Sequence, residues 1–139
     1  MRRTLPVRFA ILLLLATLAF SQTPKTKHHA VLQMSDAEAE WSPLIAHVVN
    51  LRTALKNDGG VEVEVVFFGP GIDMLRKTNE RFAEDMKLLA DDGVVFSACR
   101  NSMRTRGIKT EDLFPFARTV DSGVAELVRK QEAGWAYIK

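Results

Sequence analysis

Val61-Glu62-Val63-Glu64-Val65-Val66-Phe67-Phe68-Gly69-Pro70-Gly71 is the stretch whose reading decides the fold. Its first half alternates valine with glutamate, the period of two of a strand with one wet face. From Val65 to Phe68 it is wholly apolar, as a strand becomes on entering a sheet covered on both faces. Gly69-Pro70-Gly71 then closes it in a turn, where glycine and proline are the default residues. A strand buried on both faces belongs to a parallel sheet, whose neighbouring strands are joined by long crossovers, ordinarily helices.

Both flanks supply those crossovers. Upstream, His28 and His29 open an apolar stretch, Ala30 to Met34, that reads as a buried strand. Ser42-Pro43 then marks a helix start, with serine as cap and proline at the first helical position. Leu44, Ile45, Val48, Leu51 and Leu55 follow at helical spacing until Asn57-Asp58-Gly59-Gly60 stops the helix. Downstream, the spacing of Phe82, Met86 and Leu89 predicts a helix from Asn79 to about Ala90, closed by Asp91-Asp92-Gly93. Val94 to Ala98 is a third strand leading into Cys99, and Arg100 to Arg106 reads as a short basic helix ended by Gly107. Phe116 to Val120 is a weaker fourth strand. Asp121 or Ser122 caps a helix carrying Val124, Leu127 and Val128, with Glu126 and Lys130 spaced for an i,i+4 pair. Gly134 ends that helix, and Trp135 to Ile138 form a last strand. Strands and helices alternating in this way predict an α/β fold: a three-layer α/β/α sandwich on a five-stranded parallel sheet, built by right-handed crossovers.

The amino terminus has a different character. Arg2, Arg3 and Arg8 flank an apolar run, Phe9 to Phe20, shorter than the roughly 20 apolar residues a membrane span needs. Ala19 and Ser21 stand three and one residues before Gln22, as signal-peptidase cleavage requires. The expectation is a cleaved signal peptide over residues 1–21, a flexible lead-in over 22–27, one domain over 28–139, and a periplasmic or secreted location. No cysteine follows the apolar run to carry a lipid, and the Arg2-Arg3 pair sits in a poor twin-arginine context, so general secretion is the expected route. Losing Arg2, Arg3 and Arg8 leaves sixteen Lys and Arg against seventeen acids. That balance offers no electrostatic case for nucleic acid or, after signal cleavage, for a membrane surface.

Cys99 is the chain's one cysteine. In an oxidising compartment it has no internal disulfide partner, so it is either buried and inert or open to chemistry. It stands where a parallel strand hands over to a helix, at the sheet edge where this fold class binds ligands. Backbone N–H groups of the following helix, together with Arg100, Arg104 and Arg106, are expected to favour its thiolate. A phosphatase loop, C-x5-R, is excluded, because the sixth residue after Cys99 is Thr105 and Arg106 comes one place too late. Thioredoxin chemistry lacks its second thiol, since Ser102 holds that place. Gly69-Pro70-Gly71 either brings amides beside Cys99 to form a small pocket for an anion or sulfur species, or is a plain tight turn. Adjacent His28 and His29 point to opposite faces of a strand and do not share a metal ion. His47 reads as solvated, and Asp36, Glu38 and Glu40 as an acidic loop, so no metal and no cofactor is expected. Trp41 and Trp135 are expected in the core or a subunit interface. Phe114 and Phe116, flanking Pro115, are expected to leave aromatic surface for a partner.

Cys99 followed by Ser102 and then Arg106-Gly107-Ile108 resembles the cysteine segment of the DsrE/DsrF/TusD-like sulfur-relay family. The likeness extends from the His28-His29 strand through Val63 to Gly71 and on to Gly134-Trp135-Ala136-Tyr137-Ile138. Asn101, Met103 and Arg104 after the cysteine look closest to its exported, stand-alone DsrE-like members. The resemblance implies a five-stranded parallel sheet with the last strand beside the first, and assembly as a homotrimer or homohexamer. It also implies that Cys99 takes a sulfane sulfur as a persulfide, from a small reactive sulfur species or a sulfur-donor protein, and passes it on. Gly69, Pro70, Gly71, Asn101, Ser102, Arg104 and Arg106 are then the candidate binding residues. The alternative is a non-catalytic oligomeric binding module with an incidental cysteine; exposure of the thiol separates the two.

Overall fold

The computed structural model describes residues 26–139, so the predicted signal peptide and most of the lead-in lie outside the described residues. The strands are β1 (His28–Met34), β2 (Val61–Phe67), β3 (Val95–Cys99), β4 (Ala117–Val120) and β5 (Ala136–Ile138). Between them run α1 (Trp41–Leu55), α2 (Ala83–Asp91), α3 (Arg100–Arg106) and α4 (Gly123–Glu132). The sheet has the order β4-β3-β2-β1-β5 with every pair parallel, so β5 lies beside β1. The α/β architecture expected from the sequence is therefore the one observed.

The two faces of the sheet are covered unequally. Leu32, Val63, Val65, Phe67, Phe96 and Ala98 meet α1 and α2 in the main core, which also takes in Met103 of α3 and the 3₁₀ segment Gly69–Leu75. The opposite face carries α4, and its apolar cluster is small: Val31, Val66 and Leu127, with Phe68 and Trp135 against them. Gly71 lets the 3₁₀ segment lie on the end of β1, because a Cβ there would stand 2.3 Å from the Met34 carbonyl oxygen.

Three expectations are corrected. Helix α1 begins at Trp41, so Ser42 and Pro43 lie inside its first turn. The buried indole fixes that start, its Nε1 donating to the Asp36 carbonyl at 3.2 Å and its ring meeting Phe82 edge-on. Phe114 and Phe116 turn toward the core instead of standing out as aromatic surface: Phe114 is buried and stacks on the half-buried Phe116 at 5.1 Å, and Phe116 packs on Phe96 of the core. Finally, α4 is turned from its expected facing. The residues it lays on the sheet are Gly123, Glu126, Leu127 and Lys130, while Val124 and Val128 are exposed. The expected Glu126–Lys130 pair gives way to partners on the sheet: Lys130 Nζ lies 2.7 Å from Glu64 Oε2, and Glu126 faces Arg118 and Arg129.

Candidate functional site

Cys99 is the last residue of β3 and stands at the N-cap position of α3. Strand alternation puts Ser97 and Cys99 on the face that α4 covers, with Cys99 in register with Val120 of β4. Gly123, the first residue of α4, rests directly against it. A Cβ on Gly123 would come within 3.2 Å of Cys99 Cβ and 3.0 Å of Phe68 Cδ1, so the absence of a side chain leaves the approach unstrained. The cysteine is 4 % exposed.

Burial by itself pushes the Cys99 thiol up. Here it is outweighed by the N–H of Gly123, by the N–H and hydroxyl of Ser102 and by the N–H of Asn101, and the thiol lies below its ordinary value. The sulfur closes no capping hydrogen bond with α3, yet these donors favour a negative charge on it. Ser102 is half-buried, and its Oγ accepts the Gly69 N–H at 2.9 Å. With that lone pair engaged, the hydroxyl still has its proton to donate, and Gly69 fixes where Ser102 sits beside Cys99. Gly69 has φ +54°, in the left-handed region that favours glycine.

The other sequence candidates divide. Asn101 contributes its backbone N–H, while its side-chain oxygen accepts from Arg104. Arg106 pairs with Asp73, and Arg100 donates to Thr119 Oγ1 at 3.1 Å. The leading support for a thiolate thus comes from backbone N–H groups and one hydroxyl, with these arginines engaged by other partners. Pro70 is exposed and Gly71 is committed to its contact with Met34. His28 and His29 lie 3.3 and 3.5 Å from Asp58 and Glu62 respectively, and His47 is exposed. The clefts of about 540 and 570 Å³ lie away from Cys99, one at the amino ends of β2 and β3 beside Arg52 and Trp135, the other between α1 and α2.

Two residues escaped the sequence reading. Gly123 is visible only as a glycine in the first turn of a helix, a position that costs helix stability and therefore asks for a packing reason. Glu64 is a carboxylate inside a strand otherwise turning apolar. It is fully buried, and Oε1 accepts from Ser97 Oγ at 2.6 Å and from Arg118 Nη2 at 2.5 Å.

What the arrangement offers chemically is a single thiol, buried and held toward its ionised form at the carboxyl edge of a parallel sheet. No curated protein matches the chain. It is 37 % identical to MTH1491, described as a protein of unknown function, from Methanobacterium thermoautotrophicum. That likeness covers 80 % of this chain and 97 % of that one, with a TM-score of 0.74. The sequence model of the DsrE/DsrF-like family matches residues 15–139, and with the five-stranded parallel sheet and its edge cysteine in view, the chain belongs to the DsrE/DsrF-like family.

Proposed function

We propose that this protein is an exported sulfur carrier whose Cys99 accepts a sulfane sulfur as a persulfide and hands it to a second thiol. The observation that carries this reading is the polar surrounding of a buried sulfur. Backbone N–H groups from two separate elements and the Ser102 hydroxyl lower its pKa against the effect of burial, whereas an inert core cysteine sits among apolar groups that raise it. The Cys99 thiolate attacks the outer sulfur of a donor persulfide. A new S–S bond forms as the donor's S–S bond breaks, and the donor leaves as a thiolate with the electron pair. An acceptor thiolate attacking the same outer sulfur regenerates the Cys99 thiolate, so the cycle needs neither external oxidant nor reductant.

The test is mass spectrometry of the folded protein after incubation with polysulfide. Cys99 is expected to gain the mass of one sulfur atom, reversibly with thiol, and Cys99→Ser to gain nothing. An unchanged mass for the folded wild-type protein refutes the carrier reading. The second reading, an oligomeric binding module with an incidental cysteine, is favoured by the 4 % exposure of Cys99, and an unchanged mass would select it. Self-association as a trimer or hexamer belongs to the proposal under either reading. It is supported by Val124 and Val128, 60 % and 48 % exposed one turn apart on α4, and by Tyr137 at 40 % on the edge strand β5.

A further inference from the structure

Helix α4 brings two charged side chains and one buried apolar side chain to the sheet. Its sheet-facing residues are Gly123, Glu126, Leu127 and Lys130, spaced at i, i+3, i+4 and i+7, and only Leu127 among them brings a buried apolar side chain. At one end of that stripe Gly123 rests on Cys99; at the other, two turns on, Lys130 Nζ reaches Glu64 Oε2 at 2.7 Å. Lys130 also lies 3.9 Å above the Trp135 ring, which further defines where its ammonium sits. Glu64 is held from the remaining sides by Ser97 of β3 and Arg118 of β4. Arg118 Nε donates in addition to Ser97 Oγ at 2.7 Å, and Arg118 also faces Glu126 of α4. A fully buried carboxylate compensated from three sides is an anchor, because moving Lys130 away leaves its Oε2 without a compensating partner.

We propose that Glu64 and Lys130 are positioning residues for Cys99: their ion pair fixes α4 at the depth that seats Gly123, and its N–H, against the sulfur. Neither residue touches Cys99. They act through the helix, whose short apolar contact leaves its depth to the ion pair. The inference rests on reading Cys99 as a reactive thiol. The same geometry accounts for the valines left outside: a helix turned to bring Lys130 onto Glu64 turns Val124 and Val128 to solvent.

The test is the pH dependence of Cys99 alkylation by iodoacetamide in Glu64→Gln, Lys130→Met and Lys130→Arg, each confirmed folded by circular dichroism. The readout is the midpoint of the profile, which reports thiol acidity, rather than its plateau, which reports access. Glu64→Gln is the discriminating variant. Through the electric field alone, removing a negative charge would acidify the thiol and lower the midpoint, whereas a loosened α4 withdraws the Gly123 N–H and raises it. The expected result is a raised midpoint in Glu64→Gln and Lys130→Met, with alkylation at neutral pH slowed about three- to tenfold, and a wild-type midpoint in Lys130→Arg. Leu89→Ala, which weakens the core on the opposite face, controls for destabilisation and is expected to keep the wild-type midpoint. A lowered or unmoved midpoint in folded Glu64→Gln overturns the proposal. Polysulfide uptake by the wild-type protein is measured separately, so failure of the carrier reading and failure of the positioning role give different results.

Discussion

Replacing Ser102 by alanine removes two interactions that the structure separates cleanly. The hydroxyl helps hold the Cys99 thiol below its ordinary value and accepts the Gly69 N–H at 2.9 Å. A hydrogen bond to a charged partner contributes about 1.5–3 kcal/mol, and the lower end applies here because Ser102 is only half-buried and water can substitute in part. About 1.5 kcal/mol of lost thiolate stabilisation corresponds to about tenfold less thiolate near neutral pH. Ser102→Ala should therefore be alkylated about tenfold more slowly at pH 7, with the plateau at high pH unchanged, since thiolate is the reacting species. The freed Gly69 N–H costs about 1 kcal/mol of folding stability, read independently by urea denaturation. The assay is the alkylation rate from pH 5 to 10 for the folded variant and wild type. A profile that superimposes on wild type while the stability falls as expected would show that Ser102 supports the turn and not the thiol, and would refute the reasoning.

Gly71→Ala should lose about 3 kcal/mol or more and about 10 °C in melting temperature. Its Cβ would stand 2.3 Å from the Met34 carbonyl oxygen, a backbone atom unable to turn aside as a side chain does. Glu64 is pushed up by burial but lowered more by Lys130, Ser97 and Arg118, so its pKa in the folded protein lies below the ordinary 4.5. Its contribution to stability is then complete above about pH 4.5 and disappears as the pH falls through the lower folded value. Glu64→Gln is expected to cost about 2–3 kcal/mol at pH 7, reduced from the usual figure for a broken buried pair because Arg118 is half-exposed. It should also flatten the acid limb of the stability curve, both read by urea titrations between pH 2 and 7. Multi-angle light scattering at micromolar concentration should find an oligomer that Val124→Asp weakens; a monomeric wild-type protein would count against self-association.

The parallel sheet was legible because its signals are local. Val61 to Phe68 changes from alternating to wholly apolar within one strand, and Gly60, Gly93 and Gly134, each at positive φ, punctuate the chain between helices and strands. Cys99 was legible by position, since a strand-to-helix junction in such a sheet falls at the carboxyl edge whatever the details. The facing of α4 was not legible. Its valines and Leu127 make a plausible apolar stripe, and nothing nearby in sequence reveals that Glu64, 66 residues before Lys130, waits on the sheet for a cation. The source of the thiol's acidity was hidden for the same reason. Three arginines follow Cys99 closely in sequence, but in space they have other partners. The donors facing the sulfur include Gly123 from a separate helix and a serine held by Gly69, 33 residues away. Patterns of hydrophobicity and turn residues, which act over a few residues at a time, determined the elements, their order and the edge on which the cysteine stands. Which side chains compensate a buried charge and which amides meet the sulfur was decided only when the sheet brought β2, β3, β4 and α4 together, because electrostatic and packing contacts depend on distance in space and not along the chain.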